Sequence, residues 1–137
     1  MKLDLSSFKK AVVSFEQAIE FSDKLITGDV ITPEEKFFRA GVIQNFEFTY
    51  ELSWKIMQRA LKMYANVNEY LNKKELFRSA FKNKLITDAA RWFDYYEARN
   101  ITAHTYDDVK ADLVYKTAKF FLKDVRVLLA NLEKLND

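Results

Sequence analysis

The chain has 137 residues, 49% hydrophobic and 15% aromatic, with 22 basic against 20 acidic side chains; this is enough apolar material for one core, and too small a net charge to draw the whole molecule onto nucleic acid. No cysteine occurs, which excludes disulfides, thiolate metal centres and cysteine nucleophiles and makes a cytoplasmic location the expectation. Two glycines and one proline leave little material for hairpins or glycine-rich phosphate loops, whereas abundant Leu, Ala, Lys and Glu predict an all-α protein.

The N-terminal residues contain no apolar run resembling a signal peptide, and charges break every long apolar stretch before it could span a membrane. Phe8, Val12, Phe15 and Ile19 recur at steps of three and four and predict a first helix over about residues 7–26, which Gly28 can end. Thr32, Pro33 and Glu35 then supply a capping threonine, a proline at the first helical position and the glutamate of a capping box. The helix they open should run over about residues 33–65. It carries Phe46, Tyr50, Trp54, Met57, Leu61 and Tyr64 on one face and Phe48, Leu52 and Ile56 on another, so it should be buried on two sides, one of them against a second subunit.

Asn72 with Glu75 repeats the capping-box pattern and opens a short helix to about residue 82. Thr87 and Asp88 cap the next, over about residues 88–102, with Ala89, Trp92, Phe93 and Tyr96 on its apolar side and Arg99 near its end. Asp107 or Asp108 caps a last long helix whose seam is Val114, Ala118, Phe121, Val125, Leu128, Leu132 and Leu135. No repeat or linker divides the chain. The expected architecture is one domain over residues 1–137, an antiparallel, up-and-down four-helix bundle with one short additional helix.

The junction before the last helix reads Arg99-Asn100-Ile101-Thr102-Ala103-His104-Thr105-Tyr106 and holds the only histidine. An imidazole both gives and takes a proton near neutral pH, and a guanidinium is shaped to hold phosphate. Five residues in a straight helix separate Arg99 and His104 by roughly 140° at about 100° per residue, so they converge more easily if the helix ends between them. Such a pair suits RNA cleavage by the 2′-hydroxyl. That reaction needs one group to accept a proton and another to donate one, and a twofold dimer would supply the second histidine. The plainer reading assigns His104 to a helix end, Tyr106 to packing, and Lys73, Lys74, Lys82 and Lys84 to solvated faces.

A metal site is not expected, because His104, Asp107 and Asp108 are the only clustered ligands. No P-loop, dinucleotide fingerprint or Gly-x-Ser-x-Gly elbow is present either.

Two segments carry a family resemblance: Gly41-Val42-Ile43-Gln44-Asn45-Phe46-Glu47-Phe48-Thr49-Tyr50-Glu51-Leu52-Ser53-Trp54-Lys55, and the run from Arg99 to Asp107. In order and spacing the chain resembles the nucleotidyltransferase substrate-binding proteins of the HEPN superfamily, the HepT-type toxins. The resemblance implies a helical homodimer encoded beside a minimal nucleotidyltransferase antitoxin, with the Arg-x4-His-x-Tyr motif lining a cleft at the dimer interface and cleaving RNA without a cofactor. Carried over by position, Arg99 would bind the phosphate, His104 would be the acid-base group, Asn100 would orient the site, and Tyr106 would receive AMP from the partner enzyme, silencing the toxin. Ala103 departs from the serine expected in many relatives. The alternative is a non-catalytic subunit that presents a ligand to the transferase, and a third possibility is a helical interaction module with no site.

Overall fold

The computed structural model describes residues 2–28 and 31–137. Five α-helices and no strand occur among them: α1 (Ser6–Leu25), α2 (Pro33–Ala65), α3 (Lys73–Lys82), α4 (Ala89–Ile101) and α5 (Asp108–Asn136). The four longer helices form the antiparallel bundle, and α3 is the short addition, packed on α4 and α2. No helix of the described residues is long and apolar enough to cross a membrane.

The helix starts follow their capping chemistry. Thr32 Oγ1 accepts from the Glu35 amide at 3.2 Å while the Glu35 carboxylate accepts from the Thr32 amide at 3.0 Å, a complete capping box ahead of Pro33. Asn72 accepts from the Glu75 amide, but Glu75 reaches back to the Asn72 side-chain amide instead of its backbone, so only half of that box forms. Asp88 caps α4, and Asp107, not Asp108, caps α5 by accepting from the Val109 and Lys110 amides. Asp108 instead bonds Arg39 and Lys36 of α2.

The helix ends are less regular. The first helix stops at Leu25, where Ile26 turns extended, and no described glycine takes a positive φ, so Gly28 does not end it. Asn66 at φ 57° and Lys84 at φ 64° are the left-handed residues after α2 and α3.

The apolar seams meet at Phe121. Its ring lies 5.7 Å from Phe15 of α1, 5.2 Å from Phe46 and 6.3 Å from Tyr50 of α2, and 5.3 Å from Trp92 and 5.0 Å from Tyr95 of α4. One α5 side chain therefore touches the other three bundle helices, mostly in the tilted or edge-on geometries that aromatic quadrupoles favour. The buried face of α4 is Trp92, Tyr95 and Ala98, with Ala89, Phe93 and Tyr96 only half-buried, so the face is rotated from the expected one. Tyr95 turns inward because its hydroxyl finds Asp124 of α5. On α2, the second apolar face is partly covered within the chain. Ile56 is buried and Leu52 half-buried, leaving Phe48 61% exposed.

Candidate functional site

The α4 helix ends at Ile101, between Arg99 and His104, and a 3-10 turn over Thr102–His104 carries the chain onward. Buried Thr102 makes this corner: its hydroxyl donates to the Arg99 carbonyl at 2.6 Å and accepts from Arg99 Nη1 at 2.9 Å. The Thr105 hydroxyl then donates to the Thr102 carbonyl, and the Asp107 amide donates to the His104 carbonyl. A side chain bonding its own turn favours departure from the helix.

Arg99 is held by two carboxylates of α2. Its Nε donates to Glu51 Oε1 at 3.2 Å, and Nη1 lies 3.4 Å from Glu47 Oε2. Glu51 also accepts from the Trp54 indole N–H at 3.0 Å, and Lys73 Nζ of α3 stands 3.5 Å from the Trp54 ring centroid. Burial of Lys73 lowers its pKa, against the opposing pull of Glu51. Lys73 is thus stacked on an indole, not held on a freely solvated face.

Arg99 lines a cleft of about 530 Å³ with Gln44, Asn45, Glu47, Phe48 and Glu51. His104 and Asn100 are not among its walls; both side chains are exposed. His104 meets Tyr106 edge to face, with ring centroids 6.1 Å apart, and Tyr106 is 84% exposed. Tyr106 also borders a second cleft of about 520 Å³ that includes Lys36, Arg39, Thr105 and Asp108. Within one chain the motif therefore presents its arginine to one cleft and its tyrosine to another, with His104 and Asn100 on the exposed corner between them in sequence. Among the described residues, no group of three or more His, Cys, Asp or Glu is gathered to hold a metal ion.

Sequence reasoning missed Glu47, Glu51 and Thr102 as partners of Arg99. The two glutamates stand four residues apart, hence on one helix face, inside the segment that carries the family resemblance.

The chain is 37% identical to the Haemophilus influenzae protein named Probable ribonuclease HepT, over 98% of this chain and 95% of that one. A solved Haemophilus influenzae structure, described as the substrate binding domain of a nucleotidyltransferase, superposes with a TM-score of 0.83 at 34% identity, covering 95% of this chain and 99% of the other. A solved Thermus thermophilus protein superposes with a TM-score of 0.67 at 26% identity, covering 86% and 98%. Residues 3–134 match the family described as Nucleotidyltransferase substrate binding protein like, and the chain belongs to that family.

Proposed function

We propose that the chain is a HepT-like toxin, a metal-independent ribonuclease whose site is completed by a second copy, and that a partner nucleotidyltransferase silences it by transferring AMP to Tyr106. The observation that carries this reading is the placement of His104, exposed at a helix end five residues beyond an arginine already held in position. The relative named as a ribonuclease, aligned nearly end to end, supports it.

In the proposed reaction, one His104 accepts the proton of a ribose 2′-hydroxyl as its oxygen attacks the adjacent phosphorus. The His104 of the second copy protonates the departing 5′-oxygen, leaving a cyclic phosphate and a free hydroxyl. Arg99 offsets the charge that develops on the phosphate oxygens, and Asn100 orients the site. Nε and Nη1 of Arg99 are engaged with Glu51, Thr102 and Glu47, which leaves Nη2 to face a phosphate. Silencing joins Tyr106 Oη to the α-phosphorus of a nucleoside triphosphate, with loss of the phenolic proton and pyrophosphate. The added anion and bulk then compete with RNA.

One observation favours the second reading, a non-catalytic subunit that presents a ligand to the transferase: the guanidinium already has two carboxylates around it. RNA cleavage decides between them. Purified protein in EDTA should cut RNA, and His104→Ala should lower the rate by about 10²-fold or more with unchanged helicity and molecular mass. With the partner and ATP, the chain should gain one adenylyl mass that Tyr106→Phe abolishes. Wild-type protein that leaves RNA intact, or a His104→Ala variant of full activity, would overturn the ribonuclease reading.

A further inference from the structure

The cleft bordered by Tyr106 contains a buried cation. The Arg39 side chain is only 7% exposed, a placement guanidinium groups seldom take unless paired. Its partner is Asp108, whose Oδ1 lies 2.8 Å from Arg39 Nη2, while Oδ2 lies 3.2 Å from Lys36 Nζ. Each oxygen of one carboxylate therefore sits on a different cation. That carboxylate is itself 60% exposed and enters from the first turn of α5, so it is the replaceable member of the trio. Arg39 first, and Lys36 after it, hold its pKa below the ordinary value.

Two cations and one carboxylate leave one positive charge unmatched. Glu47, the other acid in the cleft wall, lies 3.4 Å from Arg99. A phosphodiester carries two non-ester oxygens on one centre, the same forked acceptor that a carboxylate presents, and it suits the same pair of donors. Tyr106 precedes Asp108 by two residues, borders the same cleft and is exposed, so a group attached to its hydroxyl has these cations within its own cleft.

We propose that Arg39 and Lys36 form the docking site for the phosphodiester that joins AMP to Tyr106, with Asp108 as the side chain it displaces. The proposal rests on the reading of Tyr106 as the modified residue. In the unmodified chain Asp108 occupies the place of the phosphate. After transfer, the anchored adenylate stays beside the motif instead of swinging freely on an exposed tyrosine, so silencing depends on α2 as well as on the added bulk.

The test uses free 5′-AMP as the probe on the full chain at low salt, followed by calorimetry and by NMR shifts of Tyr106 and the Arg39 Nε–H. Wild type should bind with a Kd on the order of 1 mM, and adenosine, lacking the phosphate, should bind far less. Lys36→Met, at a half-exposed position that does not threaten the fold, should weaken binding about tenfold. Asp108→Asn should tighten it about threefold by removing the competing charge; Asp107 still caps α5. Absence of AMP binding in both wild type and Asp108→Asn, equal binding of adenosine, or shifts centred on Arg99 would overturn the proposal. So would a Lys36→Met variant that loses RNA cleavage but keeps AMP affinity, since the cleft would then serve RNA. If the partner modifies another residue while the AMP titration behaves as expected, the reading of Tyr106 fails and the phosphate cleft stands.

Discussion

Asp124 is a carboxylate lodged in the bundle at 6% exposure, accepting from Arg91 at 2.9 and 2.8 Å and from the Tyr95 hydroxyl. Burial is the largest single influence on its pKa and pushes it up, but the hydrogen bonds from Arg91 and Tyr95 and the Arg91 charge together bring it below the ordinary 3.8. The hydrogen bond to Asp124 in turn raises Arg91, and burial, reinforced by Asp124, raises Tyr95. A carboxyl group whose folded pKa lies below its unfolded one contributes stability that is fully present above the unfolded value and is lost as pH falls through the folded value. The fold should therefore weaken as pH drops from about 5 through and below 3.8. Asp124→Asn should flatten part of that limb and cost about 2 kcal/mol at neutral pH, because Arg91 and the buried Tyr95 hydroxyl lose their charged acceptor. Urea unfolding at neutral and acid pH reads both effects, and a variant as stable as wild type at neutral pH would contradict them. Nothing local announces this network: Asp124 stands 33 residues from Arg91 in the chain and reads as one more surface acid on an amphipathic helix. Glu51, 48 residues before Arg99, was hidden for the same reason. The Arg99 to Tyr106 run stands out in the sequence because its residues are contiguous, unlike Glu47 and Glu51, the carboxylates on α2 that hold its arginine.

At the scale of the helices, the stops expected for α1 to α4 lie within a residue of those observed, but the residue that makes the boundary was legible at the starts of α2 to α5 and not at the stops. Thr32, Asn72, Asp88 and Asp107 each accept from an amide in the turn that follows, a requirement met by a few side-chain types at a fixed offset. Helix ends depend on backbone conformation, which glycine advertises and other residues conceal. After α3 the Lys84 amide donates to the Phe81 carbonyl at 3.1 Å and the Leu85 amide to the Ala80 carbonyl at 2.9 Å, the paired bonds of a Schellman motif with a lysine in the left-handed position. An L side chain there carries a steric penalty of roughly 1 kcal/mol that glycine avoids, partly offset by the greater freedom of glycine in the unfolded chain. Lys84→Gly should therefore stabilise the protein by about 0.5 kcal/mol and raise Tm by about 1–2 °C. A lower melting temperature in scanning calorimetry would mean that the lysine makes a contact outweighing its backbone strain. The face of α4 shows a related limit. Tyr95 and Tyr96 are equivalent by composition, and the choice between them was made by Asp124 on another helix.

For the whole molecule, the arrangement of clefts bears on how many chains make one site. Arg99 opens into a cleft edged by exposed Phe48, His104 stands outside it, and the proposed chemistry needs two imidazoles where one chain has one. The apolar face of α2 pointed to a second subunit from its periodicity; Phe48 keeps that argument alive, while Ile56 is satisfied internally. If both histidines of a twofold pair act on one phosphate, a dimer with one His104→Ala subunit is inactive, and activity follows the square of the intact fraction. Mixing wild type with an equal amount of His104→Ala protein, under conditions where subunits exchange, should leave each dimer intact with a probability of about one quarter. The rate per total protein should then fall to about a quarter of the wild-type rate, with native mass spectrometry reporting the three dimer species. A fall to about one half would mean that each chain works alone, so that a single imidazole serves both proton transfers through solvent. Analytical ultracentrifugation of wild type alone supplies the control, because a monomer at every working concentration predicts the linear result whatever the rate constant.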